Sequence, residues 1–430
     1  MAKRIKAIQC PQCGSADQKQ LKDDYYQCKN CGANYYLDND DVNINVTHRV
    51  ETPTQPQVSP KKALWATVIG VALFLLIFLL PQLFDSKSSL NTKSRFKGRA
   101  EINTTVKVND KLYILVLTQT GMGDAPRDVY YEFLDPETEE VVKTEQLLNL
   151  NKISISSTDV KRFSDGKTYI VANDQRILVV DDKELKVTDV TDTMFQGDSL
   201  YTSGIVSADI YSLYGDAIKV MTSMGREYFY YPITKQSFAT DKMYQYTSDD
   251  NTLTPNAKES IVYLFSERGS SSMQMDAAEE FKLLKVVYND NVGGVQDKGY
   301  RARWDKDFRT GELDLKLYVK RMISYSDLTP GRVYFNPEIL YYNDDYVFIC
   351  ITTNASKESG LVLQCLDAKN GDLLWSKAVE TKNDRYQYFY KDALFAGDKF
   401  MMTLDNTKYV LLDNKGNIIK YFNLYGTNDW

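Results

Sequence analysis

The chain has 430 residues, a net charge of −6, 12% aromatic residues with 31 tyrosines among them, and one histidine. That length accommodates two or three domains, and a negative balance without a basic block excludes a nucleic-acid surface as the main function. The single histidine, His48, sits in a polar, Pro-containing stretch, so the rest of the chain has no candidate for Ser–His–Asp hydrolysis or histidine-based metal catalysis.

Four of the six cysteines fall in the first 31 residues, as Cys10-Pro-Gln-Cys13-Gly14 and Cys28-Lys-Asn-Cys31-Gly32 with 14 residues between Cys13 and Cys28. In each knuckle the two-residue spacer lets both sulfurs reach one ion, and the glycine permits the tight turn that follows. Four thiolates form the tetrahedral shell that zinc prefers. Iron in a rubredoxin-like site and a pair of redox disulfides are the alternative readings. Tyr25 to Gln27 and Asn34 to Leu37 read as short strands flanking the second knuckle. Residues 8 to 37 resemble the zinc-ribbon family in these knuckles, which implies a structural metal held by Cys10, Cys13, Cys28 and Cys31. A closed four-ligand shell leaves no position for substrate. So small a module draws its folding energy from the metal. Seven basic and seven acidic residues balance in residues 1–60, and the thiolates add negative charge, so no nucleic-acid partner is expected.

A tether with Pro53, Pro56 and Pro60 follows, and then Ala63 to Phe84 runs for 22 residues without a charge. As a helix it would measure about 33 Å, matching the hydrocarbon core of a bilayer. Trp65 lies near one interface. Lysines and arginines following the run outnumber those before it, which by the positive-inside rule alone favours an internal large domain. A thiolate metal site belongs in a reducing compartment. The reading preferred is therefore a cytoplasmic cap, one crossing of the cell (inner) membrane, and an extracytoplasmic large domain.

From residue 100 onward, short β-branched and aromatic runs alternate with Asp, Asn, Gly and Lys turns. Examples are Leu112–Thr118, Val129–Leu134, Lys167–Ala172, Arg176–Asp181, Ala217–Thr222, Arg226–Tyr231, Tyr346–Thr353, Leu361–Asp367, Phe400–Leu404 and Lys408–Asp413. Turn signals near Asp110, Gly166, Gly215, Asp345 and Gly397 recur at intervals of 56, 49 and 52 residues where consecutive, a period suited to four-stranded propeller blades. Six blades can be counted and seven accommodated, because 266–312 is irregular, with a short helix or lid-like insertion expected from Asp276 to Leu284. The expected fold class is mainly β: a six- to seven-bladed β-propeller with an N-terminal four-cysteine zinc ribbon and one transmembrane helix. The expected domains are ribbon 1–40, linker 41–62, span 63–84, linker 85–99 and propeller 100–430.

The segment Cys365-Leu-Asp367-Ala-Lys-Asn370-Gly371-Asp-Leu-Leu-Trp375 resembles the repeat of quinoprotein alcohol-dehydrogenase-like (PQQ-repeat-like) propellers, with Cys for Ala and Asn for Thr. Asp307 to Gly311 is a degraded copy, and Asp135 to Thr138 and Asp413 to Gly416 are weaker ones. The resemblance implies that Asp and Gly build an outer turn while Trp packs between blades. The enzymes of that family carry a vicinal disulfide and a calcium site. This chain has no Cys-Cys pair, and none of its Asp residues matches the calcium or base position, so a cofactor-free propeller is expected.

Cys350 and Cys365 fall on one hairpin, and a turn centred on Lys357-Glu358 would set them opposite each other, as a cross-strand disulfide or as two buried thiols. Tyr228 to Tyr231 and Tyr386 to Tyr390 read as core aromatics first and as a glycan or protein surface second. Thr329 to Arg332 reads as a turn entering a strand at Val333. With no catalytic residues assigned, the function expected is a membrane-anchored interaction scaffold whose partners are the lipid bilayer and an envelope protein, and whose one cofactor is structural zinc. A quinoprotein-like dehydrogenase and a transmembrane sensor are the alternatives.

Overall fold

The computed structural model describes residues 10, 17–22, 25–29, 34–36, 95–121, 127–148, 158–248, 253–268, 281–307, 309–354, 360–379, 392–404 and 407–424. The chain divides into a unit of Met1–Leu37 with Arg95–Trp430 and a unit of Asp38–Ser94. The expected span and both linkers up to Ser94 lie outside the described residues. Among the described residues no helix is long and apolar enough to cross a membrane.

The N-terminal part is a three-stranded antiparallel sheet in the order β1 (Gln18–Lys22), β2 (Tyr25–Cys28), β3 (Asn34–Tyr36), with Tyr25 opposite Tyr36. Among the described residues the rest is mainly β and forms six sheets. Blade 1 is β4 (Arg99–Val108), β5 (Lys111–Gln119), β6 (Val129–Leu134) and β7 (Val141–Gln146). Blade 2 is β8 (Thr158–Arg162), β9 (Thr168–Ala172), β10 (Arg176–Val180) and β11 (Val187–Asp189), followed by the short helix α1 (Thr191–Met194). Blade 3 is β12 (Ile205–Ile210), β13 (Ile218–Thr222), β14 (Glu227–Tyr231) and β15 (Gln236–Ala239), followed by α2 (Thr240–Ser248).

Blade 4 departs from the pattern. Its strands are β16 (Ala257–Arg268), β17 (Leu283–Asn291), β18 (Arg301–Lys306), β19 (Leu313–Tyr318) and β20 (Met322–Asp327), in the sheet order β19-β18-β16-β17-β20. The hairpin β18–β19 joins the far end of β16 in parallel, through Ser266 to Arg268. Blade 5 is β21 (Glu338–Tyr342), β22 (Tyr346–Thr352), β23 (Leu361–Asp367) and β24 (Leu373–Val379). Blade 6 is β25 (Asp392–Ala396), β26 (Lys399–Thr403), β27 (Lys408–Asp413) and β28 (Ile418–Asn423).

The ring can be traced through its first strands and its shared cores. Strand β8 lies beside β12, β16 beside β21, β21 beside β25, and β25 beside β4. Blades 1 and 2 share an apolar cluster of Val106, Leu117, Phe133, Ile170 and Leu178. Blades 2 and 3 share Tyr169, Ile177, Phe195, Val220 and Tyr230. Blades 3 and 4 meet at the bridge Gly215–Val295, blades 4 and 5 around Tyr263, Leu283, Ile349 and Val362, and blades 5 and 6 around Phe348, Trp375, Phe400 and Met402. Blade 6 meets blade 1 through Ile114, Val116, Leu134, Met401, Tyr409 and Leu411. Both faces of a middle strand are thereby covered, and all six residues of β6 are buried. Each such Val, Leu or Phe contributes about 1.5–3 kcal/mol when fully removed from water.

Blades 1 and 6 are each made from one continuous segment, so no strand is exchanged where the ring closes. Closure rests on the shared cluster and on polar contacts. Tyr409 hydrogen-bonds Asn103, and Glu139 pairs with both Arg95 (2.9 Å) and Lys420 (2.8 Å).

The blade count among the described residues is six, as counted from the sequence. Three expectations need correction. Leu283 and Leu284 belong to β17, not to a helix, because they pack in the interior at 0% and 1% exposure; residues 276–280 lie outside the described residues. Thr329 to Arg332 does turn, with Arg332 N–H donating to the Thr329 carbonyl at 3.1 Å, but the next strand begins at Glu338. Cys350 faces Leu363 and Cys365 faces Phe348, so the hairpin pairs two residues away from the expected register.

Candidate functional site

The Asp-bearing segments singled out from sequence form one repeated turn. Between β23 and β24, Asp367 Oδ1 accepts N–H bonds from Lys369 (2.8 Å) and Asn370 (3.2 Å), and the Asp367 carbonyl accepts from Gly371 (2.9 Å). Asp135 does the same with Glu137, Thr138 and Glu139, and Asp307 with Arg309, Thr310 and Gly311. Asp413 holds a variant through Lys415, Asn417 and Gly416. Asp181, which motif reading passed over, makes the corresponding bonds to Lys183 and Glu184; the run Asp181-Asp-Lys-Glu184 is the signal that could have found it. The backbone N–H donors hold the carboxylates of Asp181 and Asp307 below the usual range. These side chains serve the turn. The fifth position is left-handed: φ is +76° at Gly371, +74° at Gly311 and +60° at Glu139.

Trp375 carries the turn's consequence to the next blade. Its ring touches Phe348 and Phe400, with centroids 5.5 and 6.3 Å away, and its Nε1–H donates to the Asn414 carbonyl at 3.0 Å. A cleft of about 470 Å³ beside it is lined by Asp345, Tyr346, Asp367, Leu374, Asn414 and Lys415. Cys350 and Cys365 are both buried as free thiols in this blade 5–6 core. Burial pushes both thiols up, that of Cys365 to about 12, which removes the thiolate that reactivity requires. Tyr228 to Tyr231 are likewise core, none more than 8% exposed; Tyr386 to Tyr390 lie outside the described residues.

At the junction of blades 2 and 3, a cleft of about 340 Å³ is lined by Asp159, Asp174, Ser207, Asp209, Lys219 and Glu227. Asp159 on β8 and Asp209 on β12 share a hydrogen bond, and chiefly for that reason, with burial second, Asp209 is pushed up to about 6. Sequence reading missed this pair because the two residues meet only through the ring.

Of the expected metal ligands, Cys10 and Cys28 are described and buried, at 2% and 1% exposure, while Cys13 and Cys31 lie outside the described residues. The two described thiols, one from each knuckle, belong to one apolar cluster, which also includes Tyr263, Leu283 and Ala368 of blades 4 and 5. Among the described residues no group of three or more His, Cys, Asp or Glu could hold a metal ion.

No family model and no curated protein matches the chain. Among solved structures it is similar to BamB from Moraxella catarrhalis, at 12% identity over 74% of this chain and 87% of that one, TM-score 0.25. A structure of the Dos1 propeller matches at 11% identity over 77% and 74%, TM-score 0.24. YCF48 bound to D1 peptide matches at 8% identity over 71% and 90%, TM-score 0.24. The six-bladed arrangement itself rests on the strand order and the shared blade cores described above.

Proposed function

We propose that the protein is a membrane-anchored, non-catalytic β-propeller acting as an envelope protein-interaction scaffold, with a structural zinc ribbon on the cytosolic side. The observation that carries this reading is where the motif residues go. Asp367 and Gly371 build a turn, Trp375 seals one blade to the next, and Cys350 and Cys365 are buried thiols. The side chains that suggested quinoprotein chemistry are thus occupied by architecture. One solved propeller similar to this chain is YCF48 bound to D1 peptide, and a protein partner is proposed for this chain as well.

In this reading Cys10, Cys13, Cys28 and Cys31 hold zinc. Support comes from the convergence of one buried thiol of each knuckle in a single cluster. The metal supplies folding energy to the ribbon and no chemistry to a substrate. A single crossing by residues 63–84 sets ribbon and propeller on opposite sides of the bilayer, an arrangement that the shared cluster of Cys10 and Cys28 with Tyr263 does not support.

Affinity capture of the full-length protein from detergent-solubilised membranes, combined with metal analysis, tests the proposal. It predicts recovery in the membrane fraction, one zinc per chain that is lost on Cys13→Ser, and a stable envelope-protein partner. Protease protection then reads topology: shielding of the ribbon in right-side-out vesicles, with cleavage of the propeller, is expected. Equal access to both parts, or alcohol oxidation on addition of pyrroloquinoline quinone and calcium, would overturn it.

A further inference from the structure

Blade 3 meets blade 4 in its own way. At the other seams an apolar cluster draws several side chains from the strands of both blades. Here the cluster is Ala217, Phe229 and Tyr231 of blade 3, Met243 of α2, and Val295. Val295 lies in the connection from β17 to β18, residues 292–300, and not in a strand of blade 4.

This connection is seated on two turns of blade 3. At the turn between β12 and β13, Gly215 bridges Val295, Gln296 N–H donates to the Tyr214 carbonyl at 3.3 Å, and Lys298 N–H donates to the Leu213 carbonyl at 2.8 Å. A Cβ at Gly215 would collide with the Gly294 carbonyl oxygen, and a Cβ at Gly293 would collide with Ile233 in the turn between β14 and β15. A glycine from each side thus lets the backbones close. Charge completes the seat. Lys298 Nζ lies 3.5 Å from Asp216 Oδ1, while Asp216 Oδ2 accepts the Ser164 N–H of blade 2 at 2.9 Å. Asp290, just before the connection, is 8% exposed, and its Oδ1 is buried without a hydrogen-bond partner among the described residues.

We infer that residues 292–300 form a pH-sensitive latch closing the ring between blades 3 and 4, docked while Asp290 carries a proton and released when it ionises. A buried carboxylate with an unpartnered oxygen is costly as an anion and tolerable as an acid. Burial raises its pKa first, and the negative charge of Asp216 adds to this, against the lowering effects of Lys298, Arg321 and Lys258. The remaining titratable neighbours are the hydroxyls of Tyr288, which hydrogen-bonds Asp290, and of Tyr300 and Tyr342. The docked latch therefore keeps a proton that the released one gives up. Docking is fully favoured below the ordinary carboxylate pKa and is lost as pH rises through the docked value.

Hydrogen exchange of the full-length protein in detergent, corrected for the intrinsic effect of pH, tests this. Between mildly acidic and alkaline buffer, a peptide covering 292–300 is expected to lose protection by about tenfold or more, while peptides from β6 and β23 keep theirs. Asp290→Asn is expected to hold the latch protected across the range. Lys298→Met, which removes a compensating cation, is expected to lose more protection than the parent protein at alkaline pH. Unchanged protection of 292–300 in the parent, a loss in Asp290→Asn equal to the parent's, or loss of protection in β6 and β23 together with the latch would overturn the inference.

Discussion

Trp375 of blade 5 donates its indole N–H to the carbonyl of Asn414 in blade 6, 3.0 Å away, and Gly416 lies flat against the same ring at φ +77°. The hydrogen bond and the close approach together explain why the turn after β27 needs a residue without a side chain.

Gly416→Ala should therefore destabilise the propeller twice over, through a disfavoured backbone conformation and through a Cβ directed into the ring, by about 2 kcal/mol or more. Trp375→Ala, which empties a site 8% exposed, should cost about 3–5 kcal/mol. Trp375→Phe should cost less, since it keeps packing and loses one hydrogen bond. Denaturant midpoints of the three variants check the order.

Glu139 sits where blade 1 meets blade 6. Partial burial raises its carboxyl, but hydrogen bonds from Lys420 and Arg95 outweigh this and hold it below its ordinary value. A depressed acid contributes stability above its unfolded pKa and loses it as pH falls through the folded value. Glu139→Gln should remove that acid-side dependence and cost roughly 0.2–1 kcal/mol at neutral pH, less at high salt, because the pair is largely solvated. Unfolding at two salt concentrations and across the acid range up to neutrality measures both effects.

The Asp159–Asp209 pair predicts the opposite slope. The hydrogen bond to Asp159, then burial, then the neighbouring negative charges raise Asp209 from 3.8 to about 6. The folded state then keeps a proton that the unfolded chain has released. Stability is favoured below the unfolded pKa and declines as pH rises through about 6. Asp209→Asn should flatten that decline and stabilise the protein above that pH, by under about 1 kcal/mol after solvent screening. Thermal unfolding of both proteins on either side of it checks the sign.

Cys350 and Cys365 are predicted to remain thiols. Their strand positions are diagonal, which separates Cα atoms by about 7–8 Å, beyond ordinary disulfide reach. In mildly alkaline buffer neither should react with iodoacetamide until the propeller unfolds, and both should react afterwards. Mass spectrometry of tryptic peptides reads the result.

How much of this was written in the sequence depends on burial. The middle strands were legible: Val129–Leu134, Leu361–Asp367 and Lys408–Asp413 are β6, β23 and β27 to the residue, because strands covered on both faces become unbroken apolar runs. Outer strands such as β7, whose residues are all exposed or half-buried, have no such constraint and were invisible. Blade 4 was obscured by an inserted hairpin that pairs in parallel, a long-range relationship no local pattern announces. Glu139 occupies a turn position where glycine would have marked the repeat. The Cys350 register was misjudged because loop length alone does not set it. The pairing of Asp159 with Asp209 exists only once two blades are side by side.

The self-contained makeup of blades 1 and 6 bears on how the ring can be cut and rejoined. Since no strand bridges the seam, the shared apolar cluster and the side chains of Asn103, Tyr409, Glu139 and Lys420 do the fastening. A circular permutant that links residue 424 to residue 95 and opens the chain between blades 2 and 3 should reassemble the same six sheets, whereas an opening inside a blade should not.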